Sequence, residues 1–192
     1  MKESLFEVPL YRYEISDWEF KKNGLLNCIN KQKFVRKVPY ENNVFLTHEG
    51  DRQTNKKTYV RYLSELLSAE LNEFCQEAKV TCKMTDAWCV RYKKGDYQGV
   101  HNHRGCGFSG IIYLEYDSKV HSPTSFVDPF HHPINDCTNI CTPQYIKEGV
   151  MVIFPSSILH YVEPNNVKKP RMAVSFDLLP ETPKHRRVWY HK

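Results

Sequence analysis

From residue 87 onward the chain breaks into short apolar runs, each shorter than a stable helix and each closed by turn residues. The runs cover residues 87–92, 99–103, 110–116, 124–127, 150–154 and 172–178. Between them lie Lys94-Gly95-Asp96, Asp117-Ser118, Asp128-Pro129, Glu148-Gly149 and Pro164-Asn165-Asn166, all turn formers. Many short strands following a helical segment predict an antiparallel double sheet of the jelly-roll kind. The expected class is mainly β with flanking helices.

The first 80 residues supply the flanking part. Residues 5–15 alternate apolar and polar and predict a first strand. Asp17 is placed to cap a short helix over 18–28. Residues 29–58 are polar and predict loops. Over 59–78, Leu63, Leu66, Leu67, Leu71, Phe74 and Ala78 recur at steps that form one helical stripe, suited to backing a sheet. A length of 192 residues with no linker or repeat predicts a single domain over 1–192, with strand and helices over 1–80 and a β core over 85–180.

Charge and cysteine usage narrow the partners. The net charge of +5 is spread along the chain, with small clusters at Lys168-Lys169-Pro170-Arg171 and Lys184-His185-Arg186-Arg187. That suits a solvated basic face and argues against a nucleic-acid surface, which needs a denser stripe. The seven cysteines form no CxxC pair, and Cys137 and Cys141 have no matching pair elsewhere. They are expected to be reduced thiols of an intracellular protein rather than zinc ligands or a disulfide framework. No signal-type h-region opens the sequence and no run is long enough to span a membrane.

Two histidines one residue apart stand out in "GVHNHRGCGFSGIIYLEY". On a strand, His101 and His103 would share a face. Alone, such a pair reads as solvated or hydrogen-bonded imidazoles rather than a metal clamp. Downstream, "EGVMVIFPSSILHYVEPN" sets His160 in a short loop after an apolar strand, and Arg171 opens the next strand in "KKPRMAVSFDLLP". His131-His132 read as an exposed loop pair. Asp128 has no reason to turn toward His101, and the Gly105-Cys106-Gly107 turn reads as a need for backbone freedom.

The order and spacing of these pieces carry a resemblance. Trp88, His101-Asn102-His103, Ser109-Gly110-Ile111-Ile112-Tyr113, Phe126-Val127-Asp128-Pro129, Gly149 to Ser156, His160-Tyr161-Val162-Glu163-Pro164-Asn165 and Arg171 to Phe176 follow one pattern. With it the chain resembles the 2-oxoglutarate- and Fe(II)-dependent dioxygenases, especially the prolyl-4-hydroxylase-like branch and the small oxygenases of phages and marine bacteria. The resemblance runs over residues 87–178, with a weaker echo in "LFEVPLY". It implies a double-stranded β-helix, the cupin-like form of the jelly roll.

The resemblance also implies roles. His101 and His160 would be iron ligands. His103 falls where most relatives carry Asp or Glu. It would be a third ligand, or a group beside a ligand position filled by water or an anion, or the mark of a site that binds metal poorly. Losing a carboxylate there leaves the site one unit more positive, which weakens iron binding and favours an anionic co-substrate. Arg171 would grip 2-oxoglutarate in a two-pronged pair. Tyr92 and Tyr113 are candidates to stand beside the same carboxylate, and Ser175 is a candidate hydroxyl partner. The implied activity is hydroxylation of an unactivated C–H bond in a peptide side chain or small molecule, using Fe(II), 2-oxoglutarate and dioxygen. The implied setting is the cytoplasm, including that of a phage-infected host, with homodimerisation left open. Two rivals stand beside it: a three-histidine iron dioxygenase that uses no 2-oxoglutarate, and a non-catalytic binding or virion-associated module.

Overall fold

In a computed structural model describing residues 8–37, 42–46, 60–103, 107–132 and 137–181, the apolar runs become strands. The helical part comprises α1 (Trp18–Ile29), α2 (Val60–Leu66) and α3 (Ser68–Glu77). The strands are β1 (Tyr11–Glu14), β2 (Val35–Lys37), β3 (Asn42–Leu46), β4 (Cys82–Tyr92), β5 (Tyr97–His101) and β6 (Phe108–Glu115). They continue with β7 (Ser125–His132), β8 (Cys137–Cys141), β9 (Val150–Pro155), β10 (His160–Val162) and β11 (Arg171–Pro180).

Side-chain alternation sorts these strands into layers. Along β11, Met172, Val174, Phe176 and Leu178 join the cluster that also holds Leu25, Ile29, Leu63, Leu67 and Phe74 of the helices. Ala87 and Cys89 of β4, Ile112 and Leu114 of β6, and Met151 and Ile153 of β9 face the same way. The alternate residues Ile111, Tyr113, Val152, Phe154 and Ala173 form a second cluster with Phe126 of β7. Val90 and Tyr92 pack on Val162 of β10. Both faces of the central strands are therefore apolar, so they read as continuous apolar runs rather than a polar–apolar alternation.

All pairings are antiparallel, in the order β1-β9-β6-β11-β4-β3-β5-β10-β7-β8, with β2 on β3. β3 pairs with β4 on one side and β5 on the other, which makes the path continuous. Since β7 and β10 pack against the inner faces of β4, β6, β9 and β11, the path curls back over itself. This is the double-stranded β-helix, mainly β with flanking helices. A register shift at Asp177/Leu178 leaves Thr85 as an extra residue in β4, a bulge that explains why Met84 rather than Thr85 joins the helix-side cluster.

Several expectations need correction. The first strand is only Tyr11–Glu14; residues 8–10 are irregular, and 1–7 lie outside the described residues. Asp17 precedes α1 in a left-handed conformation (φ 49°) and makes no side-chain cap. The single helix over 59–78 is two, divided at Leu67 (φ −100°), although Leu63, Leu67 and Phe74 still form the buried stripe. The loop over 29–58 contains β2 and β3, which polar composition hid; its residues 38–41 and 47–58 lie outside the described residues. The turn before β9 behaves as read: Gly149 has φ +81°, and a Cβ there would meet the Trp18 ring at 2.8 Å. Among the described residues no helix is long and apolar enough to cross a membrane, and Cys28, Cys75, Cys82, Cys89 and Cys141 are not in disulfides.

Candidate active site

Strand pairing brings the first two imidazoles together. His101 ends β5 and His160 begins β10, and they are cross-strand partners. Their side chains therefore share a face, with ring centroids 4.3 Å apart. His160 thus belongs to a strand, not to the loop expected. His103 lies beyond the end of β5, so pleating does not aim it. Its backbone N–H donates to Ser156 O at 2.9 Å, and its ring stands 5.0 Å from that of His160 and 5.3 Å from that of His101. The anchor is braced in turn by Ser156 N–H donating to Gly107 O at 3.1 Å. Gly107 has φ +92°, and a Cβ there would meet Leu178 O at 2.4 Å, so glycine is required.

One ring nitrogen from each histidine lies within 4.8 Å of the others, an arrangement that could hold a metal ion. The tautomers follow from the acceptors. His101 Nδ1–H donates to Gly99 O at 2.8 Å, and His160 Nδ1–H to Ile158 O at 3.0 Å. His103 Nδ1–H donates to Asp177 Oδ1 at 2.9 Å. Each Nε2 is then the lone-pair nitrogen, the form a metal ligand needs. Burial, reinforced by the neighbouring His101, pushes the His160 imidazole down to about 3, so it stays neutral at ordinary pH. Three imidazoles that present Nε2 to one point are a donor set suited to Fe(II). Gln98, unremarked in the sequence, ties this group to Tyr92: its Nε2–H donates to His101 Nε2 at 3.0 Å, and its Oε1 accepts from the Tyr92 hydroxyl at 2.9 Å. A metal held by His101 Nε2 would take the place of that amide bond.

Arg171 lines the same cavity and is only 2% exposed. Its Nη2 donates to Thr124 Oγ1 at 3.4 Å, while Nε is buried without a hydrogen-bond partner. Among the described residues it has no ion-pair partner. Its guanidinium carbon lies 5.0, 5.5 and 5.7 Å from the rings of Tyr92, Tyr113 and Tyr116. Burial is the main influence on the Tyr92 and Tyr116 hydroxyls, raising the first strongly and the second to about 12, so both remain protonated donors. The Tyr113 hydroxyl accepts the Thr124 N–H at 3.2 Å. Ser175 lines the cavity on the same strand face as Arg171 and Ala173. A buried guanidinium without an anion is costly, and the donor geometry fits a carboxylate.

The turn expected at Asp128-Pro129 is instead an irregular stretch inside β7, where the register shifts between Val127 and His131; Asp128 accepts Phe130 N–H at 2.9 Å and takes no part in the cluster. His131 and His132 lie in β7 rather than in a loop, with side chains outside the described residues, as is all of Cys106.

Residues 86–177 match the family model described as "Putative 2OG-Fe(II) oxygenase". The matched stretch is most of the β-helix core, which is similar to the 2OG-Fe(II) oxygenases over that length. No curated protein matches the sequence. Among solved structures, a Pseudomonas putida prolyl-4-hydroxylase aligns with a TM-score of 0.56 at 13% identity, covering 90% of this chain and 93% of that one. A Trichoplax adhaerens prolyl hydroxylase in complex with a hypoxia inducible factor peptide fragment aligns at 0.58 and 14%, covering 88% and 83%. The epimerase SnoN from nogalamycin biosynthesis aligns at 0.65 and 15%, covering 88% and 76%. At these identities the likeness is one of fold, and that fold is shared with the prolyl-4-hydroxylase-like branch. The oxygenase is a 2-oxoglutarate-dependent dioxygenase, with Fe(II) as cofactor and 2-oxoglutarate as co-substrate.

Proposed function

We propose that the chain is one hydroxylase domain that oxidises an unactivated C–H bond of a peptide side chain or small molecule, with iron held by His101, His103 and His160. The observation that carries this reading is a single cavity holding three converging imidazoles and a buried guanidinium without an anion. With dioxygen, bound Fe(II) and 2-oxoglutarate supply the oxidising chemistry, which converts 2-oxoglutarate to succinate and carbon dioxide and hydroxylates the second substrate.

The chain's own residues bind, orient and exclude water. Each imidazole is locked by its Nδ1–H bond, so Nε2 is presented without a tautomer change. Arg171 offers Nε and Nη to the distal carboxylate of 2-oxoglutarate as two parallel donors. Tyr92 and Tyr113 wall that end of the cavity, and Ser175 gives it a hydroxyl. Ile111, Val162 and Ala173 keep it dry, which strengthens the charge pairing. Supporting both classes, the fold neighbours include one bound to a peptide, the Trichoplax adhaerens complex, and one bound to a small molecule, the SnoN complex with nogalamycin RO.

The test is anaerobic reconstitution with Fe(II), followed by succinate release with 2-oxoglutarate and air. Wild-type protein is expected to retain iron and release succinate, and His160→Ala to do neither. Equal iron retention by the two proteins would overturn the assignment.

A further inference from the structure

His103 is held differently from its two neighbours. The rings of His101 and His160 donate to backbone carbonyls, whereas His103 donates to a carboxylate, Asp177 Oδ1, at 2.9 Å. The same oxygen accepts the Ser109 hydroxyl at 2.8 Å. Ser109 has one proton and spends it there, so Ser156 Oγ, 2.9 Å away, must donate to Ser109. The result is a directed chain in which Ser156 donates to Ser109, and Ser109 and His103 both donate to Asp177. Ser109 and Ser156 are 0% and 2% exposed, and neither has a task in the reaction above. They are the hydroxyls of the "FSGIIY" and "FPSS" stretches, and this chain gives them one. On its other side, His103 is covered by Trp88, with ring centroids 5.2 Å apart.

Charge gives the arrangement its purpose. Iron sites with two histidines and a carboxylate place one negative charge on the metal itself. All three candidate ligands here are neutral. With a doubly charged cation, a doubly charged co-substrate and Arg171, such a site is left one unit positive. Asp177 carries the missing negative charge one hydrogen bond behind His103. It sits on the inner face of β11 at the bulge against β4, where the ladder is already irregular. A carboxylate behind a ligating imidazole fixes its tautomer and raises its basicity.

We propose that Asp177 is a positioning residue that supplies, through His103, the charge a carboxylate ligand would otherwise bring to the metal. The inference rests on the reading that His101, His103 and His160 hold that metal. Its test is a Co(II) titration of metal-free protein followed by d–d absorption, with the melting temperature of each metal-free variant alongside.

Asp177→Asn keeps the shape and an acceptor oxygen but removes the charge. It is expected to weaken Co(II) binding about tenfold or more while melting near wild type. Asp177→Glu is expected to recover part of the affinity. Equal Co(II) affinity in Asp177→Asn and wild type overturns the proposal. Should Asp177→Asn melt below the assay temperature, Asp177→Glu against Asp177→Gln makes the same charged-versus-neutral comparison, and equal affinities again overturn it. His160→Ala separates the two levels. If it binds Co(II) like wild type, the metal reading itself fails. If it loses Co(II) while Asp177→Asn keeps it, only the role of Asp177 fails.

Discussion

Arg171 is a charge held out of water with aromatic rings around it and no anion beside it among the described residues. In the proposed site that cost is offset only when a carboxylate arrives. Arg171→Ala should therefore leave metal binding intact and weaken 2-oxoglutarate binding by about 2–3 kcal/mol, the scale of a charge-assisted pair. Arg171→Lys should recover little, because an ammonium cannot make the two-pronged contact. Isothermal titration of 2-oxoglutarate into Mn(II)-loaded protein measures both, and an unchanged affinity in Arg171→Ala would remove the guanidinium from this role. At this scale the sequence was partly legible. The histidines and Arg171 could be read because they are rare, chemically pointed and fixed in order. Gln98, Thr124 and Asp177 could not. Their placement depends on which strand lies beside which, and an isolated Gln, Thr or Asp carries no such information.

Elements are docked by polar contacts that periodicity does not reveal. Glu70 on α3 is 4% exposed, and its carboxylate accepts from Ser16 N–H, Ser16 Oγ and Lys21 Nζ at 2.8, 2.8 and 2.9 Å. These bonds tie α3 to the turn before α1 and to α1 itself. Burial pushes the Glu70 carboxyl up, but the bonds from Lys21 and Ser16 outweigh it and leave it below the usual carboxylate range. The folded state thus prefers the ionised form. The stabilisation is fully present above the unfolded carboxyl value, about 4.3, and is lost as pH falls through the lower folded value. Glu70→Gln should cost roughly 2–3 kcal/mol at neutral pH, the upper end of the scale for hydrogen bonds to a charged group. Urea melts of both proteins should converge as pH drops below about 4; parallel stability curves down to low pH would refute the linkage. The stripe of leucines predicted that α2 and α3 back the sheet, and they do. The division at Leu67 escaped because the apolar stripe continues on both sides of it.

For the whole molecule, the jelly-roll class was legible in the succession of short strands, whereas the wiring was not. β1 joins β9, and β3 bridges β4 and β5, through pairings between residues far apart in sequence. Local pattern cannot encode such register. This wiring gives the proposed site its mechanical meaning. Its residues come from β4, β5 and the segment just after it, β6, β10 and β11, so a ligand that engages them holds both halves of the curled sheet at once. Binding to the folded state alone must then stabilise the entire chain. With a redox-inert metal bound and 2-oxoglutarate at about one hundred times its dissociation constant, the gain is about 2.7 kcal/mol. For a chain of this size that corresponds to a rise of roughly 5–10 °C in melting temperature. The rise should require Arg171 and shrink when the metal is removed, since each end of the co-substrate then lacks its partner. Differential scanning fluorimetry across a millimolar range of 2-oxoglutarate reads the effect directly. A flat profile with metal bound would mean that the cavity does not seat the co-substrate between the two halves of the sheet.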